Sequence, residues 1–148
     1  MKIWSLFFAG AMMAILATSG CGPTLGESFK KVENIPLKKA LIYLYRPVGS
    51  VGFMYPVDVI ANGKVVVTLA HGSYSPYMAD PGEIEFKSKV TGALSESLTL
   101  DAKAGQTYYL KTIIRAGVIV GQAILTIMPP EEGEREIGEC NLVLDKKT

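Results

Sequence analysis

Glu83-Ile84-Glu85-Phe86-Lys87-Ser88-Lys89-Val90 alternates charge with apolar bulk along most of its length. Side chains two apart share one face of a β-strand. Glu83, Glu85, Lys87 and Lys89 therefore fall on one side, and Ile84, Phe86 and Val90 on the other. The charged side is expected to be wet and the apolar side to cover a core. Turn signals bracket the stretch, with Asp80-Pro81-Gly82 before it and Thr91-Gly92 after it.

The same grammar extends in both directions. Asn62-Gly63 separates Val57–Ala61 from Lys64–Leu69, and both turn positions tolerate positive φ, which predicts a two-residue hairpin. Ser73–Ala79 follows His71-Gly72, and Leu41–Arg46 stops at Pro47. Downstream, Leu98 and Leu100 share a face across Leu94–Leu100, and Glu96, in phase with them, is expected near a rim. Thr107–Ile114 follows Ala104-Gly105. Val118–Met128 is the most apolar run after the N-terminal segment, but Gly121, Gln122 and Thr126 interrupt it, as suits a buried strand rather than a membrane span. Pro129-Pro130 ends the strand pattern. Glu131, Glu132 and Glu134 then suit the positive first turn of a short helix, with Ile137 and Cys140 on its packed side and 145–148 as a frayed tail. These signals predict an all-β fold, an antiparallel β-sandwich of about eight strands with a short C-terminal helix.

The first twenty residues have the parts of a secretory leader: Lys2, the apolar stretch Ile3–Ala17, and the small residues Thr18-Ser19-Gly20. The run Ala17-Thr18-Ser19-Gly20-Cys21 resembles the lipobox of bacterial lipoproteins, with Thr18 where Leu is usual. The resemblance implies diacylglyceryl transfer to the Cys21 thiol and cleavage between Gly20 and Cys21, and two acyl chains make such an anchor stable. Gly22, where an aspartate would favour the inner membrane, implies an outer-membrane anchor facing the periplasm. The expected organisation is a signal peptide over 1–20, a tether over 21–39 and one sandwich domain over 40–148. A flexible tether of that length spans about 25 Å. Phe29, Val32 and Ile35 share the spacing of an apolar face, so docking of part of the tether stays open.

The chain carries 15 basic and 14 acidic side chains, and loss of Lys2 with the leader balances them. No basic field exists to recruit nucleic acid. Once Cys21 carries lipid, Cys140 has no partner for an intramolecular disulfide and reads as a small buried hydrophobe.

The segments Ala40–Pro47, Gly72-Ser73-Tyr74, Pro81–Phe86 and Ala104–Lys111 stand in the order seen in a family of small bacterial lipoproteins. In them the chain resembles the family called domain of unknown function 2846. The resemblance covers about Ala40 to Met128. It implies a β-sandwich on a lipid anchor and brings no catalytic residues.

The usual chemistries lack parts. His71 is the only histidine, so histidine-based metal sites and most serine or cysteine hydrolase arrangements are incomplete. Ser28 and Lys31 match a Ser-x-x-Lys element without its partner strand motifs. Glu83 and Glu85 stand at a glycosidase-like separation, but Lys87 and Lys89 continue their face as a solvated stripe. The glutamates of 131–139 lack the alternating ligands of a calcium loop, and no phosphate-binding glycine loop is present. No catalytic residue, metal or cofactor is expected. The tyrosines are the feature most open to function, because each offers rigid apolar area with a polar tip. Tyr55, His71, Tyr74 and Tyr77 are the candidate binding surface, with Phe53 and Met54 in the same glycine-flanked loop as Tyr55. Arg46 is expected at the strand end beside that loop, with Asp58 or Asp80 as a possible partner. The expected role is a lipid-anchored, non-enzymatic interaction or structural module that meets an envelope protein. The alternative is a binder of a small apolar or glycan ligand in a tyrosine-lined cavity between the sheets. The oligomeric state is left open.

Overall fold

Two β-sheets pack face to face, and a third, thinner layer covers the outside of the larger one. The computed structural model describes residues 23–49, 51–117, 119 and 121–144. The leader, Gly20, Cys21 and the tail 145–148 lie outside the described residues.

The four-stranded sheet has the order β4 (Lys64–Leu69), β3 (Val57–Ala61), β6 (Gly82–Lys89), β8 (Ser97–Ala102), with every pairing antiparallel. The hairpin at Asn62-Gly63 forms as expected, with φ of 47° and 81° at the two turn residues. The opening stretch behaves as its alternation predicts. Ile84, Phe86 and Ser88 are buried, and Glu83, Glu85, Lys87 and Lys89 are exposed.

The seven-stranded sheet has the order β1 (Thr24–Ser28), β11 (Asn141–Leu144), β5 (Ser73–Ala79), β2 (Ala40–Arg46), β9 (Thr107–Arg115), β10 (Gly121–Met128), β7 (Ala93–Ser95). It is mixed, which corrects the expectation of an antiparallel sandwich: β2 with β9, β11 with β5, and β10 with β7 run parallel. Each parallel pair needs a long crossover, and here the crossovers run through the other sheet or through the helix α1 (Pro130–Ile137). The alternation of side chains reports a strand but not its direction. Among the described residues the strands also number eleven rather than about eight. The run expected over Leu94–Leu100 is broken at Glu96, because β7 pairs in one sheet and β8 in the other. Glu96 is half-buried at that passage, and its Oε2 is buried without a hydrogen-bond partner among the described residues.

All seven residues of β2 are buried. One face, Ala40, Ile42 and Leu44, joins Leu110 and Leu125 against Val59, Leu69, Phe86 and Leu100 of the other sheet to form the main core. The Ser88 hydroxyl donates to the Ala123 carbonyl at 2.9 Å, a buried bond between the sheets. The other face of β2, Leu41, Tyr43 and Tyr45, packs with Tyr74, Tyr109, Ile137 and Cys140 beneath α1. A strand covered on both faces reads as a continuous apolar run, which is why Ala40–Arg46 shows no polar side.

Phe29, Val32 and Ile35 pack on this second cluster. The Phe29 ring meets Tyr43 and Tyr74 edge-on at 5.3 and 5.1 Å, and the Val32 N–H donates to the Tyr43 hydroxyl at 2.7 Å. The docking left open in the sequence is therefore the form this stretch takes, in irregular rather than helical backbone, and β1 adds a strand to the sheet edge. Cys140 is buried, as expected, and burial pushes its thiol up to about 12.

The termini of β2 name the two ends of the sandwich. At the Arg46 end lie the described residues of the loops 47–56, 70–72, 90–92 and 116–120; at the Ala40 end lie 36–39, 80–81 and 103–106.

Candidate functional site

Arg46 closes β2 and has no surface open to solvent. Its cation is compensated by the loop that follows. Nη1 donates to the Tyr55 carbonyl at 2.5 Å, and Nη2 donates to the Gly52 carbonyl at 2.7 Å and more weakly to that of Val51 at 3.4 Å. A planar guanidinium can serve several carbonyls at once in this way. Burial pulls its pKa below the ordinary value. Of the carboxylates weighed from sequence, Asp80 pairs with Lys39 at 2.7 Å, and Asp58 accepts from the Thr68 hydroxyl at 2.7 Å.

The loop is drawn close at two further points. Gly52 has φ of +74°, and a Cβ there would lie 2.9 Å from Ile114 Cδ1. The Gly49 N–H donates to His71 Nε2 at 3.2 Å, and the Phe53 ring stands edge-on to the imidazole at 6.3 Å. With its backbone tied down, the loop turns its side chains outward: Val51, Phe53, Met54 and Tyr55 are all exposed, Met54 at 77% and Tyr55 at 59%. Ile119, from the loop between β9 and β10, is 93% exposed at the same end. Contiguous exposed apolar residues are unusual on a monomer surface and mark contact sites.

Two clefts flank the loop and share Val51, Ile114 and Ala116. One, of about 430 Å³, is walled by Tyr55, Val90, Ala93 and Ile119. The other, of about 460 Å³, runs past Pro47 and Val48 to a polar wall of Lys111, Arg115 and Glu136. In that wall Glu136 accepts from Lys111 Nζ and from the Tyr45 hydroxyl, each at 2.7 Å. Desolvation pushes the Glu136 carboxyl up, but the bonds from Lys111 and Tyr45 outweigh it and hold the pKa below the ordinary value. The same contact, on top of burial, drives the Tyr45 phenol well above its usual range.

The structure brings together two of the four candidate binding residues. Tyr55 belongs to the 47–56 loop, and His71 touches that loop through Gly49 and Phe53. Tyr74 is buried under Phe29, and its hydroxyl accepts from the Lys30 N–H at 3.2 Å. Tyr77 packs on the main core against Phe86, 6.1 Å between rings. Four of the tyrosines, Tyr43, Tyr45, Tyr74 and Tyr109, lie on the outer face of the larger sheet rather than between the sheets. Arg46 as a buried stake, and the Tyr45–Glu136–Lys111 group, were not singled out by sequence. The signal available was an arginine directly before a proline and a loop containing Gly49 and Gly52.

The remaining motifs land on structural duties. Lys31 of the Ser-x-x-Lys match pairs with Glu134 at 2.9 Å. Among the described residues, no group of three or more His, Cys, Asp or Glu side chains could hold a metal ion, and no helix is long and apolar enough to cross a membrane. Neither a scan of protein-family models nor searches of curated proteins and of solved structures finds a match for this chain.

Proposed function

We propose that the protein is a lipid-anchored, non-enzymatic module of the bacterial cell envelope that docks a partner protein through the Arg46 end of its sandwich. The anchor reading rests on the run Ala17–Cys21, and the outer-membrane, periplasm-facing location on Gly22. The likeness to the family called domain of unknown function 2846 rests on the quoted segments and adds an architecture without an assigned chemistry.

The observation that carries the docking reading is a pinned loop with outward apolar side chains. A loop already ordered by Arg46 loses little conformational entropy when it meets a partner, and aromatic and methionine side chains suit such contacts. A photo-crosslinking side chain at Phe53 or Tyr55, in cells, is expected to capture a discrete protein. The same group at Glu85, on the charged outer face of the smaller sheet, is expected to capture none. Capture at Glu85 with none at Phe53 and Tyr55 would overturn this choice of surface.

The two clefts support a second reading, in which the same end holds a small ligand, with Lys111, Arg115 and Glu136 as its polar contacts. Native mass spectrometry of the gently purified domain separates the readings. A discrete non-protein adduct favours the ligand; a bare chain favours the protein partner.

A further inference from the structure

β1 fixes the direction from which the chain enters the sheet. Thr24 lies beside Leu144, and β11 runs parallel to β5 with Leu142 beside Tyr74, so the chain enters β1 from the Ala40 side of the sheet. Cys21 lies three residue steps before Thr24, a reach of at most about 11 Å. While β1 stays paired, Cys21 can lie no farther than that from Thr24, and the 25 Å freedom of a loose tether is lost.

That end carries its own exposed apolar residue. Pro36-Leu37-Lys38-Lys39 is a tight turn, closed by the Lys39 N–H donating to the Pro36 carbonyl at 2.9 Å, with Leu37 at its tip and 92% exposed. Lys38 is exposed beside it. Leu37 leads into β2, three strands from β1, which places it about 14 Å across the sheet from the line of the anchor. Two of the nearby lysines are already neutralised, Lys39 by Asp80 and Lys103 by Asp101, so attraction to anionic lipid is not the main force here.

We infer that the Ala40 end rests on the bilayer surface, with Leu37 among the lipid headgroups, and that the Arg46 end is held away from that bilayer. The inference rests on the reading of Cys21 as the lipid-bearing residue. It deepens the docking proposal, because it leaves the apolar loop facing outward from the membrane rather than into it.

The test uses the full chain, made with its own leader, extracted from membranes and reconstituted in phosphatidylcholine vesicles with brominated acyl chains. The single tryptophan, Trp4, lies in the leader, so Leu37→Trp and Met54→Trp each give a processed protein with one reporter. Both positions are exposed, so neither change disturbs packing. A side chain at the headgroup boundary lies within reach of the bromines, and about twofold quenching is expected at Leu37→Trp, with none at Met54→Trp. Mass spectrometry of the N-terminal peptide from the same sample reports on the anchor separately. An acylated peptide with quenching at Met54→Trp, at both positions or at neither overturns the orientation and leaves the anchor standing. An unmodified Cys21 peptide overturns the anchor, and the orientation with it.

Discussion

Arg46 and Tyr55, nine residues apart, are joined by a 2.5 Å bond from a fully buried guanidinium to a backbone carbonyl. The outermost surface of the protein thus depends on one of its least accessible side chains. Replacing Arg46 by Met keeps apolar bulk but removes the guanidinium from the Tyr55 carbonyl and leaves the Gly52 carbonyl with only the Tyr55 N–H, at 3.0 Å. A loss of about 2–4 kcal/mol in unfolding free energy is expected, since bonds to a charged group are each worth about 1.5–3 kcal/mol. Amide exchange across 51–55 should accelerate more than in β2. Unchanged exchange there would show that the loop is held by other means.

Gly133 reverses a familiar preference. Alanine in place of a helix glycine ordinarily gains about 1 kcal/mol. Here the added Cβ would lie 2.4 Å from Tyr109 Cβ, an atom fixed to its strand. Gly133→Ala is therefore expected to lower stability, by about 1–3 kcal/mol, as overpacking does. Denaturant titration gives the sign, and a gain would mean that α1 sits farther from the sheet.

Glu136 sets an acid limit. Its folded pKa lies below the ordinary 4.5, so its contribution is present above that value and is lost as pH falls through the folded value. Thermal stability is expected to hold from neutrality to about pH 5 and to drop below about pH 4.5. Glu136→Gln should cost about 1–2 kcal/mol at neutral pH, as for a partly buried pair, and flatten the acid slope. An unaltered slope in the variant would assign it to other carboxylates.

Phe29 tests whether the N-terminal stretch belongs to the fold. Its ring meets Tyr43 and Tyr74, so Phe29→Ala should cost about 2–3 kcal/mol, below the usual range for a fully buried aromatic. A free tether would give no change.

Periodicity made β3, β4, β5 and most of β2, β6 and β9 legible, because each alternates or runs apolar between turn residues that enforce their own φ. It was silent about β1 and β11. Thr24–Ser28 sits on an edge and exposes most of its side chains, so it carries no apolar face, and Asn141–Leu144 is too short for a pattern. Glu96 showed the reverse weakness: correctly placed in phase with Leu98 and Leu100, it gave no sign that the chain changes sheets there. At the candidate site, Tyr55 and His71 were findable as polar-tipped rings in turns. Tyr74 was not distinguishable from them, since the residues that cover it, 29–35, lie more than 35 positions away. Arg46 was misjudged for a related reason. Its partners are carbonyls, which every residue has and no sequence pattern marks.

The pairing of Thr24 with Leu144 also orders events in time. A chain made at about 5–20 residues per second, N-terminus first, leaves β1 waiting on the order of ten seconds for the strand that will hold it. The first strand synthesised is thus the last to be paired. Truncation before Asn141 would take only Val143 from the main core yet release the segment next to Cys21, so damage at the C-terminus would be felt at the opposite end of the chain.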